Sequence, residues 1–287
     1  MTSPVVQLKE SSVTPGDQAG PSRVITVDGL DQLIKVLVAD GWTVIAPTIA
    51  DGVIRPAPVD GVADLPRATG DEQQPGRYRL RPRDDHALFG YANPAGSPKS
   101  ALLPPRTLLW RGRRDGDGIH DETPGDEVTP TALLGVRSCD LAATQRLDRV
   151  LGGGWKGRPA DPHYAARREQ TLIIAVACGE PASTCFCTSM GTGPRVTTGF
   201  DLALTEVLRD DDHYFIAEAG SPAGAELMTV LAAEPADASQ QNAAERAVNE
   251  AAQNMKRRFD PEELRDLLAV SVEDACWDEV GARCQGC

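Results

Sequence analysis

The sequence predicts an α/β fold in which a central mixed sheet contains a strand–helix–strand unit, with a β-rich segment before it and helices after it. Residues 131–136 and 171–177 are short apolar runs typical of buried strands. Residues 140–151 between them carry apolar side chains at helical spacing and end at three glycines. Because the connections are short, we expect the two strands to pair in parallel through a right-handed crossover.

The N-terminal part begins with residues 1–22, which are polar and contain Pro, Gly and Ser, so they predict a disordered arm. A β-branched strand is expected at 24–27. The helix that follows has Asp28 as a candidate N-cap and Gly41 as its stop. We expect the next strand, 43–46, to end at the proline that comes after it.

Residues 51–106 are rich in Gly, Pro and Asp and predict turn-connected β structure, with short strands at 53–55 and 78–81. The segment 111–130 has little apolar content and is interpreted as a charged loop. This part of the chain is therefore expected to add irregular β structure to the central sheet.

The part of the chain after the second central strand is expected to turn helical. Apolar side chains at 200–208 have helical spacing and predict an amphipathic helix, whereas 213–217 predicts a strand. An apolar stripe over 244–255 predicts a long helix. Asp260 followed by Pro261 is typical of an N-cap and the first helical position, so another helix is expected to begin there.

The composition argues against two classes of function. The 287 residues carry a formal net charge of −13, whereas non-specific nucleic-acid binding needs a basic surface. No apolar run approaches the roughly 20 residues that span a membrane. The first residues lack a secretory signal, so we expect a cytoplasmic protein. Seven cysteines in that reducing compartment predict metal ligands or reactive thiols instead of disulfides.

Four cysteines lie in three short islands of the central part. Cys139 follows the first central strand and begins the helix, where the helix N-terminus is expected to lower the pKa of its thiol. Cys178 follows the second strand, so both are expected at one edge of the sheet, the usual binding crevice of an α/β fold. Cys185 and Cys187 come after a short loop that can fold back over this edge. Four thiolates suit a [4Fe–4S] cluster or a structural zinc ion.

Two neighbouring features suit a cluster. The segment 188–194 is small and glycine-bearing, and its backbone N–H groups are candidates for hydrogen bonds to cluster sulfides. Arg137, Arg167 and Arg168 are candidates to offset the negative charge of a thiolate-ligated cluster.

Two other interpretations stay open. In the first, the four cysteines hold zinc and staple a scaffold or docking subunit, although zinc prefers pairs spaced C-x₂₋₄-C and C-x-C is tighter. In the second, Cys185 and Cys187 serve a thiol–disulfide redox protein, which makes no use of the other two cysteines.

The chain ends in a C-x₂-C motif formed by Cys284 and Cys287. It matches only the first half of the bacterial ferredoxin pattern C-x₂-C-x₂-C-x₃-C-P. Two thiolates cannot complete a four-iron cluster, so by itself the motif leaves zinc, a redox pair and chance all open.

Six segments form a pattern that covers roughly residues 24 to 287: PGRYRLRPRDDHALFGY, SPKSALLPPRTLLW, GVRSCDLAATQRLDRVL, DPHYAARREQTLIIAVACGEPASTCFCTSMGTGP, GFDLALTEV and WDEVGARCQGC. In these segments the chain resembles the iron–sulfur β subunits of soluble sulfhydrogenases and the A subunit of anaerobic sulfite reductase. The resemblance implies an iron–sulfur subunit that passes electrons between a flavin- and NAD(P)H-binding subunit and a nickel–iron hydrogenase or sirohaem sulfite reductase subunit.

The resemblance also bears on single residues. Cys284 and Cys287 match the first two ligands of the first cluster of a ferredoxin module, and the four central cysteines match those of the N-terminal domain. Since relatives continue beyond this motif, we expect a C-terminally truncated member. No nucleophile–base set, G-x-G-x-x-G or P-loop is found in the sequence, so we expect no substrate chemistry of the chain's own.

The expected organisation has three parts: a disordered arm at 1–22, an α/β cysteine-bearing domain at 23–240, and at 241–287 a helical segment with the start of a truncated ferredoxin-like [4Fe–4S] module.

Overall fold

The computed structural model describes residues 21–122, 128–209 and 212–283. Apart from its last two residues, the predicted arm lies outside these ranges. The strands are β1 (Arg23–Thr26), β2 (Thr43–Ala50), β3 (Val53–Pro58), β4 (Thr69–Gln74), β5 (Arg77–Pro82), β6 (Gly112–Asp115), β7 (Gly118–Asp121), β8 (Thr131–Val136), β9 (Thr171–Val176), β10 (Leu202–Arg209), β11 (Asp212–Ala219) and β12 (Glu234–Pro235). The helices are α1 (Val27–Ala39), α2 (Lys99–Leu102), α3 (Ser138–Leu151), α4 (Pro162–Glu169), α5 (Pro222–Val230), α6 (Ala238–Asn254), α7 (Pro261–Val270) and α8 (Cys276–Arg283).

One large mixed sheet organises the molecule, with strand order β12-β1-β11-β10-β9-β8-β2-β3. Its inner strands β10, β9, β8 and β2 pair in parallel. The pairs on either side of them are antiparallel. The hairpins β4–β5 and β6–β7 form separate two-stranded sheets. The predicted α/β class is confirmed at this level: a large mixed sheet with helices.

Helices cover both faces of the sheet. Successive side chains of a strand point to opposite faces, so each face buries its own set of residues. Leu133 and Ile173 are buried on one face together with Leu141 of α3. Leu134 and Ile174 point to the other face and join the cluster that contains α1 and α5. The α6 helix packs against β10 and β11. No helix in the described residues is long and apolar enough to cross a bilayer.

The central strand–helix–strand unit forms as predicted, with α3 between the parallel strands β8 and β9. Their register is regular up to Leu134, which pairs with Ile174, and then shifts so that Val136 pairs with Ala175. Gly135 is the extra residue of this β-bulge and has φ of 87°. Its Cα also approaches the ring of Pro47, where a Cβ would lie 2.9 Å from the Pro47 Cδ. The bulge therefore needs glycine.

The segment 200–208 forms a strand, and the predicted helix is wrong. Most of it belongs to β10, which pairs with β9 on one side and with β11 on the other. Leu204 and Leu208 have the i, i+4 spacing of a helix face, but Leu204 is fully buried whereas Leu208, near the strand end, is 38% exposed. Backbone pairing with two neighbouring strands overrides the local spacing.

Two other segments also differ from the prediction: the end of β2 and the charged segment. The β2 strand continues beyond Pro47 and pairs there with β3. Its parallel pairing with β8 covers only Thr43 to Ile45. The missing N–H of Pro47 therefore removes no hydrogen bond between β2 and β8. The charged segment 111–130 contains the hairpin β6–β7, whose residues are all exposed.

The α7 helix begins where the sequence places it, whereas α6 begins at Ala238, ahead of the predicted stripe at 244–255. The Asp260 side chain accepts a hydrogen bond from the Glu262 N–H and caps α7. However, α7 and α8 bury no residue. Trp277 and Val280 of α8 are 42% and 47% exposed.

A pair of substitutions in β10 checks the corrected assignment. Leu204→Ala is expected to lower the free energy of unfolding by about 2–5 kcal/mol, because it leaves a cavity in the core. Leu208→Ala is expected to cost under about 1 kcal/mol, because that side chain is already partly solvated. Urea denaturation of both variants measures this difference. Equally large losses of stability in the two variants would instead indicate that both side chains lie on one buried face of a helix.

Candidate functional site

The ends of β8 and β9 place two cysteines at the same edge of the sheet. Cys139 lies in the first turn of α3, three residues after the end of β8. Cys178 follows β9 by two residues. The Pro194 carbonyl accepts hydrogen bonds from the Cys178 N–H at 3.2 Å and from the Ser138 hydroxyl at 3.3 Å. One carbonyl of the returning loop therefore ties both strand ends together.

The C-x-C loop folds back over this edge. A Cβ built on Gly193 would overlap the Ser138 hydroxyl and lie 3.1 Å from the Cys187 sulfur. The pKa of Cys139 is affected by charge on Cys187 and Cys178, and the pKa of Cys187 by charge on Cys178 and Cys185. The four central thiols are thus close enough for their charges to interact, and Cys178 is the thiol that the other three share.

Burial keeps these thiols protonated in the metal-free chain. Burial, followed by charge repulsion from Asp140, raises the pKa of Cys139 to about 12. Burial likewise raises the pKa of Cys187 to about 11 and raises those of Cys178 and Cys185. The expectation that the helix N-terminus lowers the pKa of Cys139 is therefore wrong, because desolvation of the thiolate outweighs the helix dipole.

The thiols are neighbours without forming a finished metal site. Within the described residues, no group of three or more His, Cys, Asp or Glu side chains is close enough to hold a metal ion as it stands. The four thiols are partly buried and none forms a disulfide.

A buried guanidinium lies beside the thiols. Arg137 is 1% exposed and its charge lowers the pKa of Cys139, Cys178 and Cys185, although less than burial raises them. Its N–H groups donate to five backbone carbonyls at 2.8–3.5 Å: those of Phe89, Tyr91, Ala92, Val176 and Ala177. The guanidinium also stacks on the Tyr91 ring, 5.1 Å from its centroid.

The other two arginines proposed to offset cluster charge lie elsewhere. Arg167 and Arg168 belong to α4, which precedes β9, whereas Cys178 follows that strand. Six strand residues separate the two ends by roughly 20 Å. Arg168 instead pairs with Asp148 of α3. Of the three candidates, only Arg137 is at the thiols.

The glycine-bearing loop uses several of its amides internally. The N–H groups of Ser189, Gly191 and Thr192 donate to carbonyls of residues 186–188. These three donors are occupied in turns, so they are not free to bind cluster sulfides as expected from the sequence.

The hairpin β4–β5 and its following residues hold the start of the cysteine loop. Arg81 of β5 and Arg83 both form ion pairs with Glu180. The Glu180 carbonyl accepts from the Cys178 thiol at 3.4 Å. The Ser183 hydroxyl donates to a carbonyl of β4 at 2.8 Å. The sequence contained alternating arginines in this hairpin, but nothing in it indicated their partner.

The end of α6 holds the other half of the loop. The Thr188 hydroxyl lies 3.2 Å from the Met255 sulfur, and the Cys187 sulfur lies 3.9 Å from it. The Phe186 ring contacts the Phe259 ring at a centroid distance of 5.5 Å. Met255 was visible in the sequence only as the last member of an apolar stripe, and Phe259 gave no functional indication.

The terminal C-x₂-C motif, with Cys284 and Cys287, lies outside the described residues. No family model matches the chain, and no curated protein is significantly similar to it.

Substitution of Gly193 is expected to disturb the loop. Gly193→Ala should lower the free energy of unfolding by about 3 kcal/mol, because a positive φ is strained for alanine and its Cβ overlaps Ser138. Gly191→Ala, with φ of 63° and open space around it, should cost only about 1 kcal/mol. Chemical denaturation compares the two. Adding Ser138→Gly should restore part of the stability that Gly193→Ala loses. If the double variant is no more stable than Gly193→Ala, the overlap is contradicted.

The raised thiol pKa values predict a loss of stability at alkaline pH in the metal-free, reduced chain. Unfolded cysteines lose their protons near the ordinary pKa of 9, whereas folded Cys139 keeps its proton up to about 12. The contribution is therefore complete below pH 9 and disappears as the pH rises through about 12. Urea denaturation at about pH 8 and about pH 10 measures it. Cys139→Ala should reduce the difference, and equal stability at both pH values would rule the effect out.

Proposed function

We propose that the chain is an iron–sulfur electron-transfer subunit of a cytoplasmic multi-subunit oxidoreductase. It would relay electrons between a flavin- and NAD(P)H-binding subunit and a catalytic subunit, either a nickel–iron hydrogenase or a sirohaem sulfite reductase. The observation that supports the proposal is that Cys139 and Cys178 follow neighbouring parallel strands at one sheet edge, beside the buried guanidinium of Arg137. The loop that carries Cys185 and Cys187 folds back so that Gly193 lies against Ser138 and the Cys187 sulfur.

The central site would hold a [4Fe–4S] cluster through Cys139, Cys178, Cys185 and Cys187. Such a cluster supplies one-electron transfer without bond making at the protein. The chain's own residues position the thiols, limit water at the edge and place positive charge beside them. We further propose that Cys284 and Cys287 begin a ferredoxin-like module, as the resemblance to sulfhydrogenase and sulfite reductase subunits implies.

A thiol–disulfide enzyme is disfavoured by the state of the thiols. Such an enzyme needs a cysteine whose pKa is depressed so that the thiolate is present near neutral pH. Burial raises the pKa of both Cys185 and Cys187. The pair is better suited to ligation, where binding of a cation replaces the proton.

Anaerobic reconstitution of the full chain with iron and sulfide tests the proposal. We expect a brown protein with about four iron and four sulfide bound by the central cysteines, and an EPR signal on reduction. Cys185→Ser should lower the iron content by at least half, whereas Cys276→Ser, at an exposed position, should leave it unchanged.

Two outcomes would contradict this function. A colourless protein that holds zinc but no iron or sulfide would support the zinc-stapled scaffold, and Cys185→Ser should then unfold the domain. Stoichiometric alkylation of Cys185 or Cys187 in the native protein near neutral pH would support the thiol–disulfide enzyme.

A further inference from the structure

The hairpin β6–β7 stands apart from the main sheet and carries apolar side chains on one face. Residues 108–122 are exposed throughout, and β6 packs chiefly on β7. Arg114 lies opposite Ile119 in the register, so their side chains share this face. Gly112, two residues before Arg114, is on the same face. The Trp110 ring covers it, because a Cβ built on Gly112 would lie 2.1 Å from that ring.

The other face of the hairpin is polar and pairs its own charges. Arg113 forms ion pairs with Asp115 and Glu122, and a ring nitrogen of His120 lies 3.0 Å from an Asp115 carboxylate oxygen. This face is therefore satisfied in water. A two-stranded hairpin by itself is only marginally stable in water, so the apolar face is the one that gains from a partner.

The apolar surface continues into the stretch that leads to the hairpin. In 106–111, RTLLWR, the two leucines and the tryptophan are 47–70% exposed, and an arginine stands at each end. Exposed apolar patches mark interaction sites, and tryptophan and arginine dominate the binding energy of many interfaces. We call residues 106–122 the arm. Its four carboxylates all follow in 115–122 and balance its four arginines, so the basic charge lies in the leading half.

The C-terminal helices form a second exposed apolar surface, of opposite charge. We call residues 261–280 the acidic segment, because it contains seven carboxylates and one arginine. The basic run 256–258 lies ahead of it. The α7 and α8 helices have 10 and 8 residues and bury none of them, whereas helices shorter than roughly 12–15 residues are marginal in water without packing. Six apolar side chains of the segment are 42–83% exposed: Leu267, Leu268, Val270, Val272, Trp277 and Val280.

We propose that the arm of one chain docks on the acidic segment of a second copy, which returns the same contact. The basic, apolar leading half of the arm complements an acidic, apolar surface. Within one chain both surfaces stay exposed, so neither covers the other. A two-fold dimer uses the contact twice. Each copy then contributes both 106–122 and 261–280, more than the roughly 20–30 residues per side of a standard interface. The dimer does not depend on what the thiols bind.

An exchange of charge between the two surfaces tests the dimer in the full chain. Arg106→Glu with Arg114→Glu reverses the arm, and Glu263→Arg with Glu273→Arg reverses the acidic segment. Sedimentation equilibrium should show a dimer for the unaltered chain. Each double variant alone should have a dissociation constant raised by roughly tenfold or more, because like charges then meet. An equimolar mixture of the two restores both contacts, so its constant should return to within about threefold of the unaltered chain.

The control is Arg146→Glu with Arg149→Glu, at exposed positions of α3, which changes the net charge equally and should leave the dissociation constant unchanged. An equal loss of dimer in this control overturns the proposal, and so does a mixture that associates no better than its components. If one double variant does not fold, the chain with all four substitutions has the two charges exchanged and should still dimerise, and a monomer then overturns the proposal. An unaltered chain that is monomeric up to about 100 µM also overturns it and leaves both surfaces to other proteins.

Discussion

The β-bulge at Gly135 is the constraint on which the cysteine edge depends. The parallel register of β8 and β9 brings both strands to the same edge, and the bulge adds one residue to β8 just before it ends. An extra residue changes which face the following side chains point to. Arg137 is therefore directed inward between the loop 89–92 and the end of β9, and Cys139 follows on the first turn of α3.

The electrostatics of the edge are unbalanced in the metal-free chain. Burial disfavours thiolates, whereas the guanidinium beside them favours negative charge. Protonated thiols satisfy the first preference but not the second. This imbalance is the electrostatic argument for the proposed ligation of a cation by the four thiols.

The sequence predicted the central unit because its pattern and its environment agree: two apolar runs flank an amphipathic helix that ends at Gly152. It failed at β10, where Leu204 and Leu208 fit a helix locally but the neighbouring strands determine the pairing. The cysteines could be located from spacing, whereas their surroundings could not. The contacts of Glu180 with the β5 hairpin and of Met255 with the C-x-C loop join segments about 70 to 100 residues apart, and single-residue patterns carry no information on such pairs.

The packing of the C-terminal helices shows where the part of the chain that supports the thiols ends. Met255 and Phe259 touch the C-x-C loop, whereas α7 and α8 bury no side chain. A protease that cuts in the α7–α8 segment would meet exposed backbone and leave every contact described around the thiols in place. A cut a few residues earlier, ahead of Met255, would release one wall of the site. The chain up to Phe259 is thus the smallest piece in which the cysteine loop keeps both of its supports.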